Sequence, residues 1–327
     1  MTRTTTVAVT GATGFVGRAL TRALLQRGHA VRALTRSADK AASVLPPAAG
    51  ELEIVVGDAL GQGVIDRLVD GAGAVINLLG IIREKRGQRF QGVHVEATRR
   101  CLEAATRAGA GRYIQMSALG VSDEGICEYQ KTKWAAEELV RKSGLDWTIF
   151  RPSLIHGPEG EFTEMMISWA RGKIAPWKFM PYFGRPETDI SVPAGPTRYI
   201  DPEAQPVYVE DVAAYFADAL TNDDAIGEIY NLVGPERLAW PDMLRTVRDT
   251  IPGGFDHIEP LRIPADIAAF NARAAELLGV GALLPFDAGM AKMGAQDSVA
   301  GLEKARADFD IEPSGFTTAL RAYAQTV

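Results

Sequence analysis

The sequence predicts a doubly wound α/β fold, a parallel sheet with helices on both faces, carrying a smaller C-terminal lobe. Three observations predict it. Short apolar runs alternate with longer amphipathic ones through the first half of the chain. A spaced glycine triplet follows the first of those runs directly. Proline is almost confined to the second half: of 18 prolines, only Pro46 and Pro47 precede Pro152. Proline removes a backbone donor and breaks regular elements, so the first half should be regular and the second rich in loops.

The elements follow in order. Residues 6–10 (Thr-Val-Ala-Val-Thr) read as a strand, and residues 15–27 as a helix ended by Gly28. Strand-like runs recur at 30–35, 52–56, 74–79, 112–116 and 147–150, with helical patterns at 93–108 and 128–142. Strands alternating with helices imply βαβ units and right-handed crossovers. The pattern returns once, as strand 206–209, helix 210–220 and strand 228–233. With 327 residues, at about 150 per domain, two domains are expected. We divide them as 1–155 plus 205–235, a dinucleotide-binding domain, and 156–204 plus 236–327, a smaller substrate or lid lobe.

Composition narrows the function classes. Hydrophobic residues make up 46% and charged residues 23%, the balance of a globular chain rather than a disordered one. The net charge is −6, and no long basic run occurs, which argues against a nucleic-acid binder. Cys101 and Cys127 are too few for a disulfide framework or a four-ligand zinc site. The four histidines (His29, His94, His156, His257) show no metal spacing, so no metal is expected. No apolar run approaches the roughly 20 residues of a membrane span. The sequence runs from Met1 straight into a strand pattern, so no signal peptide is expected and the cytoplasm is the default location.

The strongest motif is Thr10-Gly11-Ala12-Thr13-Gly14-Phe15-Val16-Gly17. Gly11 permits a tight turn, Gly14 lets the backbone approach a pyrophosphate, and Gly17 packs helix on strand. The helix N-terminus adds unpaired N–H groups and a partial positive charge. A site selective for NAD places an acid at the end of the second strand; here Leu34-Thr35-Arg36-Ser37 offers Arg36, suited to a 2′-phosphate. The expected cofactor is therefore NADP(H), with NAD(H) second. Asp58, after Val55-Val56-Gly57, is placed either to accept from an adenine amino group or to cap a helix.

Tyr129 and Lys133 stand four residues apart on one face of a predicted helix. An ammonium beside a phenol lowers its pKa, the arrangement of a proton-transferring tyrosine. Ser117 ends the preceding strand and is expected to reach the same pocket. The structural alternative is a solvent-facing helix on which Lys133 pairs with Glu137. His156 reads as a packing residue beside the cleft and Cys127 as a pocket lining. Arg83, Lys85, Arg86 and Arg89 form a short basic loop, offset by Glu84, that reads as solvated. Trp169, Arg171, Lys173, Trp177, Lys178, Phe179, Tyr182 and Phe183 mix aromatic and basic groups; a lid over the cleft is the first reading, and a surface for a membrane or a large apolar substrate the second. The proline-laden stretch between Phe183 and Gln205 reads as an enlarged loop.

The glycine motif, Asp58, Ser117 and the Tyr129/Lys133 pair resemble the short-chain dehydrogenase/reductase superfamily, whose fold is of the Rossmann type. The long C-terminal half resembles its extended and atypical branches. Residues 150–158 (Phe-Arg-Pro-Ser-Leu-Ile-His-Gly-Pro) are similar to the segment flanking the nicotinamide there, and 205–212 to a later segment. Residues 75–80, 93–98 and 116–120 look like the atypical group that holds the nucleotide-binding accessory subunit of respiratory complex I and its bacterial relatives. The resemblance implies Ser117, Tyr129 and Lys133 as catalytic residues. It implies cofactor contacts from Gly11, Thr13, Gly14, Phe15, Val16, Gly17, Arg36, Asp58, Ala59, Leu78, Leu79, Gly80, Tyr129, Lys133, Pro152, Ser153 and Ile155. His94 departs from the Asn that sugar epimerases of the extended branch carry. The function expected first is an NADP(H)-dependent oxidoreductase acting on a carbonyl or alcohol of a small molecule. Second is a nucleotide-bound assembly subunit with little turnover, peripheral to the inner membrane or held in a respiratory complex. Third is epimerase or dehydratase chemistry on a nucleotide sugar.

Overall fold

A computed structural model describes residues 5–47, 51–85, 87–187, 197–281 and 284–327. Seven strands form one parallel sheet: β1 (Thr6–Thr10), β2 (Ala30–Thr35), β3 (Leu52–Val56), β4 (Ala74–Asn77), β5 (Arg112–Met116), β6 (Asp146–Pro152) and β7 (Glu228–Leu232). They lie in the order β7-β6-β5-β4-β1-β2-β3. The order reverses between β1 and β4, and the crevice beyond their carboxyl ends is where ligands bind in such sheets.

Strand alternation divides the core. Val7 and Val9 of β1 face one side, where helices α1 (Phe15–Gln26) and α7 (Val209–Asp218) bring Leu20, Leu24, Val212 and Phe216. Ala8 faces the other side, with Val75, Tyr113 and Ile149. There α3 (Val64–Val69), α4 (Ala97–Ala108) and α5 (Glu128–Arg141) pack Leu68, Leu102 and Val140 onto the sheet. Helix α2 (Ala38–Val44) is capped by Ser37, whose side chain accepts from the Lys40 N–H.

The second half differs from the sequence expectation in detail. Helix 210–220 is α7, starting at Val209, and strand 228–233 is β7, paired with β6. The expected strand 206–209 shrinks to Val207–Tyr208, which pairs with Ile155–His156 outside the main sheet. Pro206 lacks the donor that would extend it. A separate core gathers Met166, Trp169, Met180, Tyr182, Met243 and Phe316, from α6 (Glu161–Ala170), α8 (Trp240–Thr250), strand Phe179–Pro186 and the C-terminal helix Phe316–Tyr323. That strand pairs in parallel with Glu259–Pro264. A small cluster joins helix α9 (Ala265–Leu277) to α10 (Ala288–Met293) through Ala268, Ala269 and Ala291. Of the enlarged loop expected between Phe183 and Gln205, residues 188–196 lie outside the described residues, and Phe183 to Pro186 finish the strand.

Candidate active site

The glycine loop joins β1 to α1 at the reversal point. Gly11 has φ +71, a left-handed conformation, and a Cβ there would lie 3.2 Å from the Leu78 carbonyl carbon. Gly17 is tighter still: its Cβ would stand 2.2 Å from the Gly11 oxygen and 2.6 Å from that of Ala12. Gly14 occupies the N-cap of α1 in extended backbone, without a side-chain cap or an acidic residue in the first turn. The first N–H groups of α1 therefore face the crevice without a side-chain acceptor. This cradle, with no Cβ at its narrowest points, fits a dinucleotide pyrophosphate.

From Leu78 the chain runs to Gly80, where a Cβ would lie 3.0 Å from Lys133 Nζ and 4.0 Å from His94 Nε2. The β4 loop thus links the glycine cradle to α5. Lys133 is buried and donates to Met116 O (3.1 Å) and Leu79 O (3.4 Å) rather than pairing with Glu137. Burial pulls its pKa down to about 8. Tyr129 lies half-buried one turn earlier, edge-on to the His94 ring at 5.4 Å and the Phe90 ring at 6.0 Å. Burial, with the Cys127 thiol second, pushes its pKa up to about 12. The sequence reading expected Lys133 to lower it. The correction is physical: Lys133 spends its ammonium on strand-end carbonyls, and desolvation then governs the phenol.

His94 is the residue that sequence reasoning undervalued. It sits in a π-helical turn (Gln91–Glu96) that leads into α4. His94 Nδ1 lies 2.9 Å from Thr132 Oγ1, and Nε2 lies 3.1 Å from the Ile81 carbonyl oxygen and 3.2 Å from the Ile81 nitrogen. In either tautomer the ring ties the β4 loop to α5. Burial and the nearby Lys133 charge lower the His94 pKa to about 3, so the ring is neutral. The available signal was its position: an aromatic, hydrogen-bonding residue where epimerases carry Asn.

Ser117 lies elsewhere than expected in its bonding. It is buried, and its hydroxyl donates to Glu137, a carboxylate with no exposed side-chain surface that also accepts from Arg141 and, through two bonds, from Arg151. Its hydrogen points to that ion cluster. Ser153 is likewise bonded, to the Ser298 hydroxyl (2.9 Å), fastening β6 to the C-terminal segment. Pro152 and Ile155 flank it, and Ile155 pairs with Val207. Phe15 and Val16 open α1, and Phe15 packs against Gly157 and Gly160, where a Cβ would approach its ring to 3.1 and 2.9 Å. Thr13 and Ala59 are half-buried beside the crevice loops.

At the adenosine end, Arg36 is exposed after β2 and makes no ion pair among the described residues; its guanidinium lies against the Gln88 amide. Arg32 is committed to Glu53 and to the carbonyls of Leu68 and Asp70. Asp58 is exposed and accepts from the Leu60 N–H (2.8 Å), ordering its own loop. The basic loop is not simply solvated. Arg83 donates to Leu284 O and Gly281 O, both at 2.7 Å, and so tethers the β4 loop to the C-terminal lobe; Arg89 pairs with Glu84. Arg86 lies outside the described residues. From the other side, Gln130 of α5 donates to Gln296 (2.9 Å), and a Cβ on Gly289 would touch Cys127 at 3.5 Å. Gly281 and residues 284–296 therefore close on the rim that carries Tyr129. His156 is fully buried and packs on Tyr208, Phe316 and Tyr323, in keeping with a packing role.

Residues 11–167 match a family model described as NAD(P)H-binding, so the fold and the glycine cradle define an NAD(P)H-binding protein. The chain is 32% identical over 248 residues to the NADH dehydrogenase [ubiquinone] 1 alpha subcomplex subunit 9 of Arabidopsis thaliana, covering 74% of this chain and 57% of that one. It is 38% identical over 152 residues to a ceramide reductase of Caulobacter vibrioides, covering 46% and 47%. The chain thus spans about half the length of the curated relatives it matches. In fold it is similar to an epimerase from Methanothermobacter thermautotrophicus, with TM-score 0.72, 18% identity and 98% and 91% coverage. It is similar also to a UDP-glucuronic acid 4-epimerase from Bacillus cereus, with TM-score 0.70, 17% identity and 98% and 99% coverage. The match over residues 11–167 and the likeness to the complex I subunit over 248 residues agree with the resemblance to the atypical short-chain dehydrogenase/reductase superfamily.

Proposed function

We propose that this protein is an NADP(H)-dependent reductase acting on a carbonyl compound, with the corresponding alcohol as product. The observation that carries the reading is the half-buried Tyr129 phenol, held neutral by burial, one helical turn from Lys133, whose ammonium adjoins the Leu79–Gly80 segment beyond the glycine cradle. The bound nicotinamide supplies the hydride. A phenol whose pKa is raised holds its proton at neutral pH, which suits it to donate to the developing alkoxide. Lys133, with its ammonium beside Gly80, is placed to hold the nicotinamide ribose. His94 keeps the β4 loop and α5 in register. Arg36, exposed and in no ion pair among the described residues, supports NADP(H) over NAD(H) by offering charge-assisted bonds to a 2′-phosphate. Asp58, with a second carboxylate oxygen beyond its loop bond, is read as the adenine contact. We assign residues 1–155 plus 205–235 to cofactor binding and the remainder to substrate selection. Similarity to a ceramide reductase makes lipid carbonyls the first class to assay.

The test is NADPH oxidation against a panel of aldehydes and ketones that includes long-chain and lipid carbonyls. Tyr129→Phe should lower turnover by roughly 10²–10⁴-fold and leave NADPH affinity unchanged. Activity intact in this variant would overturn the assignment. A second reading is favoured by the similarity over 248 residues to complex I subunit 9: a nucleotide-bound subunit that docks on a respiratory complex at the membrane. Tightly retained NADPH that no carbonyl oxidises would select it.

A further inference from the structure

We propose that the loop of residues 173–178, with Phe255 beside it, docks on the surface of an anionic lipid bilayer. The mixed aromatic and basic segment divides sharply in the fold. Trp169 and Tyr182 enter the core of the C-terminal lobe, whereas Trp177 is 62% exposed. Phe255 is 49% exposed, and Ile174 also faces solvent. The two segments meet: a Cβ on Gly172 would lie 3.3 Å from the Trp177 carbonyl and 3.7 Å from the Phe255 ring.

The loop that carries the exposed rings is held through its backbone. The Lys173 N–H donates to Ser168 O (2.8 Å), the Trp177 N–H to Ile174 O (2.9 Å) and the Lys178 N–H to Pro176 O (2.7 Å). Trp169 Nε1 donates to Ala175 O, and the Phe255 N–H to Ala170 O, both at 2.9 Å. Arg171 bonds the carbonyls of Pro252 and Val327 beneath the loop. Trp177 itself takes φ +58, a left-handed conformation that a bulky residue adopts only when its surroundings impose it. A tryptophan turned to solvent on such a loop gives up burial within the fold and gains it at a bilayer interface, where its amphipathic ring sits at headgroup depth.

Charge selects the occupant. Lys173 and Lys178 bracket the apolar tip, are exposed, and make no ion pair among the described residues. The carboxylates Asp249 and Glu259 are engaged by Arg248, Glu259 also by Arg245, and Asp256 stands on the Phe255 turn beside His257. The charges at the tip itself that have no ion-pair partner among the described residues are thus the two lysines, on a chain of net charge −6. Unpaired lysines flanking Trp, Ile and Phe complement anionic headgroups over an apolar layer. The other large apolar face, Phe270 and Leu277 on the outer side of α9, is interspersed with Asp266, Arg273 and Glu276 and has no such cationic rim.

The test sediments the full chain with vesicles of phosphatidylcholine containing about one-third phosphatidylglycerol. Co-sedimentation should exceed that with phosphatidylcholine alone and fall as salt rises. Lys173→Ala and Lys178→Ala should each weaken partitioning by about fivefold. Trp177→Asn, a residue that tolerates the left-handed backbone, should weaken it by about tenfold or more and abolish the vesicle-induced blue shift of tryptophan fluorescence. Leu277→Ala should bind as the parent does. The inference is overturned if anionic vesicles fail to retain the parent chain, if the lysine and tryptophan variants bind undiminished, or if Leu277→Ala abolishes binding.

Discussion

Two buried histidines should make this protein acid-sensitive well above the carboxylate range. His94 is 1% exposed and His156 0% exposed, and burial lowers both from an ordinary 6.5 to about 3. For His94 the facing charge is Lys133; for His156 the facing groups are the Tyr208 and Tyr323 rings. A histidine with a depressed folded pKa binds its proton more readily in the unfolded chain. Its stabilising contribution is therefore complete above pH 6.5 and is lost as pH falls towards 3. At about pH 5 the loss is about 1.5 units times 1.36 kcal/mol, or about 2 kcal/mol per histidine and about 4 kcal/mol together. The slope from these two histidines approaches two protons, about 2.7 kcal/mol per pH unit, and His29, also buried and lowered by burial, adds to it in the same direction. Glu84, Glu96 and Asp201, held low by arginine contacts, titrate below this window. Urea unfolding from about pH 7.5 to about pH 5 measures the effect, with His94→Gln and His156→Gln each expected to remove about one proton of slope. Stability that stays flat across this range, or a slope that neither variant reduces, would refute the reasoning.

Other perturbations test the cradle and the cofactor choice. Gly17→Ala places a methyl 2.2 Å from the Gly11 oxygen, a backbone atom that cannot give way, and should cost about 3 kcal/mol or more in thermal or urea unfolding. Gly14→Asp brings a Cβ to 3.1 Å from the Gly11 oxygen, a tight contact that a shift of a few tenths of an ångström relieves, and Asp suits the N-cap, so the fold should survive while calorimetry shows dinucleotide binding lost; unchanged affinity would exclude this loop as the phosphate site. Arg36→Asp should reverse a roughly 10- to 100-fold preference for NADP(H), read by titrating both cofactors; equal affinities in the parent chain would sink the assignment.

Local rules carried most of the fold and part of the site. The alternation through residues 6–10 marked β1, and Gly11, Gly14 and Gly17 marked the turn that follows, because backbone conformation and helix packing impose those residues over a few positions. The helical spacing of Tyr129 and Lys133 put them on one face for the same reason. Nothing local tells where a side chain ends its reach. Arg83 meets Gly281 across 198 positions, Ser117 turns to Glu137 across 20, and His94 bonds Thr132 across 38. The tertiary structure alone decided these partners, because they depend on which surfaces the sheet brings together. It also decided the direction of the Tyr129 pKa. Desolvation belongs to the packed surroundings and not to the residue, so a lysine four positions away could not reveal that the phenol is held neutral.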